Sequence, residues 1–545
     1  MKSSHYHPDT RNEPVLNYTP GSHEAVELWK AIKQLKSEVR DIPMFIGGKE
    51  IFTGNKMKII PPHEHTHTLG YFHEGDATHV QQAIDAALAA KEHWAQMPWE
   101  DRAYIFLKAA DLVSNKYRWE LNAATMLGQS KNVYQAEIDS ACELADFLRF
   151  NVKYVYDIHH VQPSSSDGVV NKLEYRPLEG FIFALTPFNF TAIAGNLPAA
   201  PAMVGNTVVW KPAHTQIYSA WVIMKIFREA GVPDGVINLI YGDGPTTGDI
   251  IFRHREFSGL HFTGSTGVFK HLWKEIGDNI NIYRSYPRIV GETGGKDFIL
   301  AHASADPDVV ATAMVRGAFE YQGQKCSAAS RAYIPDHIWP EVKDRVQSML
   351  KKIRTGSVED PGNFVNAVID EKSFTKIAGY IDQAKKDGIE IVAGGKYDKS
   401  VGFFIEPTVL RTDDPHYRTM HEEIFGPVLT VYVYSGADYL ETLELINKTS
   451  PYALTGAVIS KDRHPIELAS QKLSQAAGNF YINDKPTGAV VNQQPFGGAR
   501  GSGTNDKAGS MWNMIRWMSP RTIKENFNPP TDYPYPFMGE QQPGL

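Results

Sequence analysis

The stretch Gly180-Phe-Ile-Phe-Ala-Leu-Thr-Pro-Phe-Asn-Phe190, followed by a helix-forming segment and Thr207-Val-Val-Trp-Lys211, decides the fold. Prolines and asparagines interrupt this longest apolar tract of the chain, so it does not suit a membrane span. Its pattern predicts a buried strand at 181–185, a helix over 192–203 and a second buried strand at 207–210. Strand, helix and strand in this order form the unit of a parallel sheet that is covered on both faces.

The same alternation extends along most of the remaining chain. Strands are predicted at 236–240, 259–263 and 331–334, and helices at 217–230 and 340–353. Before the first sheet, helical periodicity covers 77–156, and an amphipathic helix is predicted around 24–39. The fold class is therefore α/β, with ligands expected at the carboxyl ends of the strands.

Two segments stand outside this pattern. The polar run Gln162–Gly168 precedes strand-like Asn171–Tyr175, and together they predict a hairpin that projects from a domain. The tail after Asn505 contains Met511–Trp517, whose apolar and aromatic residues indicate packing in a core or an interface rather than a ligand site.

Composition excludes several classes of protein. A chain of 545 residues is long enough for two or more domains, and its net charge of −7 without a basic patch argues against nucleic acid or an anionic membrane as partner. Two distant cysteines do not form a disulfide framework. The segment Met1–His7 has neither a secretory nor an organelle-import pattern, so we expect a cytoplasmic protein, or a mitochondrial matrix protein in a eukaryotic source.

Cys326, in Gln324-Lys-Cys-Ser-Ala328, is the candidate nucleophile. The adjacent Lys325 and the small residues that follow predict an accessible thiol beside a cation, which favours the reactive thiolate. The alternative is a small buried apolar side chain, and Cys326 taken alone leaves the two interpretations even. Cys142 lies in a helical, apolar-periodic stretch and is interpreted as packing.

Two further residues have side chains suited to catalysis. Asn189 follows a buried strand, where an amide can donate to a developing oxyanion, although a lone Asn more often stabilises a turn. Glu292 stands in Gly291-Glu-Thr-Gly-Gly295, where nearby glycines permit the side-chain movement of a general base. Taken alone, it is more often a solvated turn carboxylate.

Other segments indicate phosphate or ribose binding with less specificity. Lys211 ends a strand, and His261–Thr266 leads from a strand into a helix whose N–H groups can receive a phosphate. Gly242–Gly248 differs from the dinucleotide-binding fingerprint because its last interval is one residue too long. The alternating histidines 63, 65 and 67 would share one face of a strand, but an ordinary polar surface explains them better than a metal site.

In order and spacing, these segments resemble the aldehyde dehydrogenase superfamily from about Pro43 onward. The resemblance implies a Rossmann-type cofactor domain, an α/β catalytic domain and a small oligomerisation hairpin and tail. It makes Cys326 the nucleophile, Asn189 the oxyanion donor and Glu292 the general base. The cofactor would be held by a set of residues along the strand ends: Lys211 at the adenosine ribose, Gly264 and Ser265 at the pyrophosphate, Glu423 at the nicotinamide ribose, and Pro187 and Phe425 nearby.

Within the superfamily, four segments resemble the Δ1-pyrroline-5-carboxylate dehydrogenase family: Gly323–Ala328, Gly478–Lys485, Gln494–Arg500 and Gly503–Lys507. This implies NAD-dependent oxidation of L-glutamate 5-semialdehyde to L-glutamate in proline catabolism. The implied substrate residues are Ser327, Gly488 and Ala489 for the carboxylate, Phe190 and Phe496 on either side of the aliphatic chain, and Glu143 for the amino group.

Some positions depart from the family pattern. Ala489 lacks a hydroxyl that some relatives carry, Asn492 replaces a small residue and Phe269 replaces a glycine. His214 stands where many NAD-preferring relatives have an acid, so NAD is the expected cofactor and NADP remains open.

The resemblance also implies a division of the chain. Residues 1–157 and 178–290 would form the NAD-binding domain, 291–488 the catalytic domain, and 158–177 with 501–545 the oligomerisation elements. A homodimer or higher homo-oligomer is expected, and direct transfer from a proline dehydrogenase remains open. The alternatives are a dehydrogenase for another semialdehyde, such as succinate semialdehyde, and a catalytically silent protein on the same fold.

Overall fold

The structure is a computed structural model that describes residues 10–539. Residues 1–9 and 540–545, which belong to the predicted cofactor domain and tail, lie outside the described residues. The helices are α1 (His23–Ser37), α2 (Ala77–Gln96), α3 (Trp99–Ser114), α4 (Arg118–Gln129), α5 (Val133–Ala136), α6 (Leu144–His159), α7 (Thr191–Met203), α8 (Ile217–Ala230), α9 (Gly244–Phe252), α10 (Thr266–Asp278), α11 (Pro307–Phe319), α12 (Trp339–Lys352), α13 (Glu371–Lys386), α14 (Arg418–His421), α15 (Tyr439–Thr449), α16 (Arg463–Lys472) and α17 (Met511–Ile515).

The strands follow the same chain order. They are β1 (Arg40–Ile42), β2 (Met44–Ile46), β3 (Lys49–Ile51), β4 (Lys56–Ile59), β5 (Gly70–His73), β6 (Val169–Pro177), β7 (Phe181–Thr186), β8 (Thr207–Pro212), β9 (Ile237–Leu239), β10 (Phe257–Thr263), β11 (Arg288–Glu292), β12 (Asp297–Ala301), β13 (Ala329–Pro335), β14 (Glu390–Ala393), β15 (Tyr397–Asp398), β16 (Phe404–Ile405), β17 (Thr408–Thr412), β18 (Val428–Tyr434), β19 (Tyr452–Ala453), β20 (Thr455–Ile459), β21 (Asn479–Ile482), β22 (Ala499–Arg500) and β23 (Met518–Asn526).

The first large sheet contains the stretch that decides the fold. Its order is β11-β10-β7-β8-β9-β2-β3, with β7 to β11 parallel and the two edge strands β2 and β3 antiparallel. Strand β7, helix α7 and strand β8 form where the hydrophobic pattern predicts them. The predicted parallel sheet is therefore confirmed, and helices on both faces bury its strands.

The second large sheet has the order β14-β17-β18-β13-β12-β20-β21, and all its neighbours except β14 and β17 pair in parallel. The predicted strand at 331–334 and helix at 340–353 appear here as β13 and α12. The chain crosses from the first sheet to the second between Glu292, the last residue of β11, and Asp297, the first residue of β12.

The predicted local hairpin at 162–175 is wrong in its pairing. Strand β6 is present, but its antiparallel partner is β23 in the tail, with Pro177 opposite Met518 and Val169 opposite Asn526. The polar residues before β6 meet it in a single antiparallel bridge, Ser166 with Val169, and otherwise through side chains. Gln162 Oε1 accepts from the Leu173 N–H at 2.8 Å, and Ser165 Oγ from the Asn171 N–H at 3.0 Å. Periodicity predicts a strand but carries no signal for a partner so distant in sequence.

Three other predictions are settled by the structure. The helical stretch at 137–150 contains a π-helix, Glu137–Glu143, before α6 begins. Histidines 63, 65 and 67 lie in a turn rather than a strand, and His63 is buried 3.8 Å from Glu359, so the polar-surface interpretation is wrong for it. Packing at 511–517 is confirmed for Met514 and Trp517, which are both buried. Within residues 10–539, no helix is long and apolar enough to cross a membrane.

Gly180, which precedes β7, provides a test of how this strand is held. It has φ +97°, and a Cβ there would overlap the Glu256 carbonyl oxygen and the Ser258 hydroxyl. Gly231 is a matched control, because its φ is +106° but no atom lies within 4 Å of a Cβ. We expect Gly231→Ala to lose about 1–2 kcal/mol from its left-handed backbone, and Gly180→Ala to lose about 2 kcal/mol more from the overlap.

The two variants are compared by their apparent Tm at one scan rate, since unfolding of a chain this long is commonly irreversible. If Gly180→Ala has the same apparent Tm as Gly231→Ala, the close approach of Gly180 to Glu256 does not constrain the start of β7.

Candidate active site

Cys326 is presented by a strained turn. Tyr321, Gln322 and Gly323 all have left-handed backbone, with φ of +52°, +55° and +65°. For the two non-glycine residues this conformation costs about 1–3 kcal/mol each. The buried Gln322 side chain stabilises the turn, because its Nε2 donates to Ser130 O at 3.0 Å and to Ala367 O at 2.9 Å. The turn brings the half-buried Cys326 to the start of β13.

The predicted cation beside the thiol is wrong. The Lys325 ammonium pairs with Glu320 Oε2 at 3.0 Å instead of supporting a thiolate. Burial raises the pKa of the Cys326 thiol well above its usual value, and the carboxyls of Asp297, Glu292 and Glu423 raise that pKa further. Cys326 is thus held as a thiol and requires a base. Cys142 is buried, as predicted.

Asn189 joins the first sheet to the loop of the nucleophile. It follows β7, is 4% exposed, and its Nδ2 donates to the Gln324 carbonyl oxygen at 3.0 Å. The side chain therefore bonds across to the residue two positions before Cys326 rather than to its own turn. This contact contradicts the alternative in which Asn189 only stabilises a local loop.

Glu292 ends β11 with its carboxyl close to a second glycine-rich loop. Its Oε2 accepts from the Gly498 N–H at 3.3 Å, and a Cβ on Gly497 would lie 3.0 Å from its Oε1. Burial raises the pKa of this carboxyl well above its usual value, while Lys507 opposes that rise. Glu292 is not a solvated turn carboxylate, and the glycines leave space for its side chain to rotate.

The residues predicted to bind the adenosine and the phosphates lie along the carboxyl edge of the first sheet. Lys211, in β8, is 8% exposed, and within residues 10–539 no hydrogen bond or ion pair joins its ammonium to another side chain. Burial lowers the pKa of Lys211, while Asp243 and Glu74 raise it. Exposed Ser265 is the N-cap of α10 and follows Gly264, whose N–H donates to Glu292 O at 3.1 Å.

Glu74, an acidic residue that the sequence does not indicate as part of the site, lies beside His214. Glu74 Oε1 is 3.9 Å from His214 Nε2, although the two residues are far apart in sequence. Burial lowers the pKa of His214, and Lys211 lowers it further. Glu74 comes to this position because the adjoining Gly75 pairs with Gly242. No local pattern in the sequence indicates that contact.

Glu423 lies at the crossing between the sheets. Its Oε1 accepts from the Gly295 N–H at 2.9 Å, and a Cβ on Gly294 would overlap its carboxyl. Burial raises the pKa of Glu423. Two residues later Phe425, with φ +60°, packs edge-on against Phe188 at 5.8 Å, next to half-buried Pro187.

The predicted carboxylate-binding residues come together, with one addition. Ser327 Oγ hydrogen-bonds Thr487 Oγ1 at 2.8 Å, and both side chains are buried. Gly488, which is exposed and has φ +101°, and half-buried Ala489 follow directly. Thr487 was missed, although it stands beside two predicted residues.

Two of the other predicted substrate residues, Phe190 and Glu143, lie next to a buried charged cluster. Lys131 Nζ is 4.0 Å from the centre of the Phe190 ring and 2.7 Å from Asp139 Oδ2. Burial, together with the charge of Asp139, raises the pKa of Glu143 to about 8. Half-buried Phe496 pairs through its backbone with Ala508. Lys131 and Asp139 were also missed, because neither stands in a recognisable motif.

Comparison with known proteins gives the same assignment over nearly the whole length. The chain matches the aldehyde dehydrogenase family over residues 52–523. The mitochondrial Δ1-pyrroline-5-carboxylate dehydrogenase of Dictyostelium discoideum is 52% identical over 535 residues, which cover 97% of this chain and 96% of that protein. The crystal structure of the Mycobacterium tuberculosis Δ-pyrroline-5-carboxylate dehydrogenase bound with NAD has 49% identity and a TM-score of 0.95, with 99% and 100% of the two chains covered.

A larger protein also contains this architecture. Proline utilization A from Bdellovibrio bacteriovorus is 30% identical with a TM-score of 0.91, and the match covers 95% of this chain but 53% of that one. The predicted α/β fold and the family resemblance are thereby confirmed. The chain is an enzyme that belongs to the aldehyde dehydrogenase family, in the branch whose relatives are Δ1-pyrroline-5-carboxylate dehydrogenases.

Proposed function

We propose that this protein catalyses the NAD-dependent oxidation of L-glutamate 5-semialdehyde, the open form of Δ1-pyrroline-5-carboxylate, to L-glutamate. The observation that carries the proposal is that Asn189 bonds to the loop of Cys326 while the Glu292 carboxyl lies close enough to raise the pKa of the thiol. Ser327, the residue after Cys326, bonds to Thr487. The names of the relatives support the same substrate.

In the first step, the Cys326 sulfur attacks the aldehyde carbon and a thiohemiacetal forms. Because three carboxyls raise the pKa of the thiol, its proton must be transferred to a base. The Glu292 carboxyl suits this role, since burial raises its own pKa and strengthens it as a proton acceptor. Asn189 Nδ2 and the Cys326 N–H would donate to the oxyanion, and loss of one such donor typically costs about 10²–10³ in rate.

The residues of the cofactor region fit a dinucleotide. The Lys211 side chain is buried and no described side chain bonds its ammonium, which is free to donate to a ligand. Exposed Ser265 is the N-cap of α10, and the N–H groups at a helix start can receive a phosphate. Glu423 would hold the nicotinamide ribose. The chemistry that NAD supplies when bound is hydride acceptance, which converts the thiohemiacetal into a thioester. Glu74, beside His214, would repel a 2′-phosphate and favours NAD over NADP.

In the last step, Glu292, after releasing the thiol proton to solvent, would remove a proton from the water that attacks the thioester. The C–S bond then breaks, the Cys326 sulfur leaves as a thiolate and takes up a proton, and glutamate dissociates. Its carboxyl has space to rotate because residues 497 and 503 are glycines. Ser327 with Gly488 and Ala489 would bind the substrate carboxylate, Phe190 and Phe496 its methylene groups, and Glu143 its amino group. A site with these buried polar groups disfavours aldehydes that leave them unpaired.

The larger organisation follows from the same proposal. We assign residues 1–157 and 178–290 to cofactor binding, 291–488 to catalysis, and 158–177 with 501–545 to a homodimer or higher oligomer. Pairing of β6 with β23 supports treating the last two segments as one element. Proline utilization A contains a related fold within a longer chain, which supports a proline dehydrogenase as the supplier of substrate. The relative from Dictyostelium is named mitochondrial, which supports a matrix location in a eukaryotic source.

The substrate panel tests this function. NADH or NADPH formation is measured with pyrroline-5-carboxylate, succinate semialdehyde and propanal, each with NAD and with NADP. We expect kcat/KM for pyrroline-5-carboxylate with NAD to exceed the others by at least about a hundredfold, since unpaired buried polar groups penalise poorer substrates strongly. Similar values for all three aldehydes would contradict the assigned substrate residues.

Labelling with iodoacetamide tests the assignment of the nucleophile. We expect Cys326 to be alkylated in the folded protein while buried Cys142 is not, so that Cys326→Ser abolishes labelling. Because the pKa of Cys326 is raised, the thiolate is scarce at neutral pH, and the rate should still be rising with pH between about pH 8.5 and about pH 9.5. A rate already constant at neutral pH would show a depressed pKa instead.

Glu292→Gln tests the base. We expect NADH to form more slowly than in wild type and to approach one equivalent, because the thiol has lost its proton acceptor. Steady turnover should then be about 10²–10⁴-fold slower than wild type, the usual contribution of a positioned base. In wild type, kcat should rise with pH through a pKa above the ordinary value for Glu, because the base acts only when ionised. Rapid steady turnover by the Glu292→Gln variant would contradict the assignment of Glu292 as the base. So would a variant whose kcat depends on pH in the same way as that of wild type.

A further inference from the structure

We propose that Lys131 is a positioning residue that holds the substrate-facing ring of Phe190 and the turn before Cys326 in one arrangement. The proposal rests on the function proposed above, because it concerns residues to which that function gives roles. Lys131 lies just after α4, and among residues 10–539 neither a hydrogen bond nor an ion pair joins it to Cys326 or Glu292. It acts through two aromatic rings and one carboxylate.

The Lys131 ammonium lies between two rings in the protein interior. The residue is 2% exposed, and its Nζ is 4.0 Å from the centre of the Phe190 ring and 4.5 Å from that of Tyr321. At these distances a desolvated ammonium is attracted to the face of each ring. One cation therefore fixes two rings that come from separate parts of the chain.

Asp139 pairs with the ammonium, which opposes the lowering of the Lys131 pKa by burial, and ties it to the oxyanion loop. Its Oδ2 accepts from Lys131 Nζ at 2.7 Å and from the Thr191 N–H at 2.9 Å, and its Oδ1 accepts from the Ala192 N–H at 2.9 Å. These two N–H groups begin α7, immediately after Asn189 and Phe190. The ion pair thus fixes where α7 begins and how the preceding residues point.

On the other side, Tyr321 belongs to the left-handed turn that leads to Cys326. Its ring is buried, and within the described part of the chain its hydroxyl has no hydrogen-bond partner. Contact with the Lys131 ammonium is therefore the directed interaction that orients this ring. Displacement of the ring would shift the turn, whose backbone is already strained at Tyr321 and Gln322.

Gln129 and Ser130, the two residues before Lys131, contact the same two loops. Gln129 Nε2 donates to Phe188 O at 2.7 Å, in the oxyanion loop, and Ser130 O accepts from Gln322 Nε2 at 3.0 Å, in the nucleophile turn. The end of α4 therefore contacts both loops through three successive residues. Lys131 is the member of this segment whose ammonium also contacts the substrate-facing ring.

The test compares variants of the full-length protein. Lys131→Met keeps the side-chain length but leaves Asp139 as an unpaired buried charge, which can prevent folding. The double variant Lys131→Met/Asp139→Asn removes both charges and leaves an amide oxygen for the α7 N–H groups. Lys225→Met is the matched control, because Lys225 also pairs with a carboxylate, Glu120 at 2.7 Å, and lies 4.6 Å from a Trp221 ring.

For the double variant we expect kcat/KM for pyrroline-5-carboxylate to fall at least about tenfold, with KM raised and kcat lowered together, since small displacements of reacting groups are costly. Its Kd for NAD should stay within about twofold of wild type, and Lys225→Met should change none of these values by more than that. Recovery of kcat/KM in the double variant to within twofold of wild type would overturn the proposal, because Lys131 would then only neutralise Asp139.

Two features of the experiment distinguish failure of this proposal from failure of the proposed function. Variants are compared on whichever aldehyde the wild-type protein oxidises fastest. A different preferred substrate would contradict the proposed function, but the ratio of kcat/KM between variant and wild type would still test the role of Lys131. Alkylation of Cys326 by iodoacetamide needs no substrate, and we expect it to be at least about threefold faster in the double variant as the turn loosens. An unchanged alkylation rate would overturn the link between Lys131 and the nucleophile turn.

Discussion

The crossing of the chain between its two parallel sheets, residues 293–296, is the constraint on which the active site depends. Thr293 N–H donates to Ser502 O at 2.8 Å, and Gly295 N–H donates to Glu423 Oε1 at 2.9 Å. The glycines are required by contact, since a Cβ at 294 would overlap Glu423 and one at 295 would overlap the Cys326 carbonyl oxygen. A larger residue at either place would separate the nucleophile from the groups contributed by the first sheet.

This crossing also concentrates acidic groups around the thiol. Burial raises the pKa of Asp297 to about 8 and lowers that of Lys296 to about 7, and within residues 10–539 Lys296 Nζ and Asp297 Oδ2 have no hydrogen-bond partner. Burial and the carboxyls of Asp297, Glu292 and Glu423 together form a region in which a thiolate is disfavoured. A thiol held protonated is slow to oxidise or to react with stray electrophiles. In the proposed mechanism, reactivity then depends on transfer of its proton to Glu292 during the reaction.

Features of the fold that depend on neighbouring residues could be predicted from the sequence, whereas contacts between distant segments could not. The β7–α7–β8 unit was predicted because apolar periodicity reports burial residue by residue. The partner of β6 was not, because a strand's pattern is the same whichever strand it pairs with. Lys325 was assigned to the thiol on adjacency alone, whereas its ammonium is drawn to Glu320. Glu74 and Lys131 reach the site only through tertiary packing, and their neighbours in sequence give no indication of it.

Asn189 and Cys326, the proposed oxyanion donor and nucleophile, come from different sheets, yet one hydrogen bond joins their loops before substrate arrives. Asn189 Nδ2 donates to Gln324 O at 3.0 Å, two residues before Cys326. An amide nitrogen carries two hydrogens, so one can stay on Gln324 while the other points to an oxyanion on the carbon attached to Cys326. The donor then needs no reorientation as charge develops, which is the condition under which such a dipole stabilises a transition state most. In the proposed mechanism, the contacts of Asp139 and Gln129 with the same loop serve this fixed orientation, and that is why buried polar groups so far from the thiol belong to its chemistry.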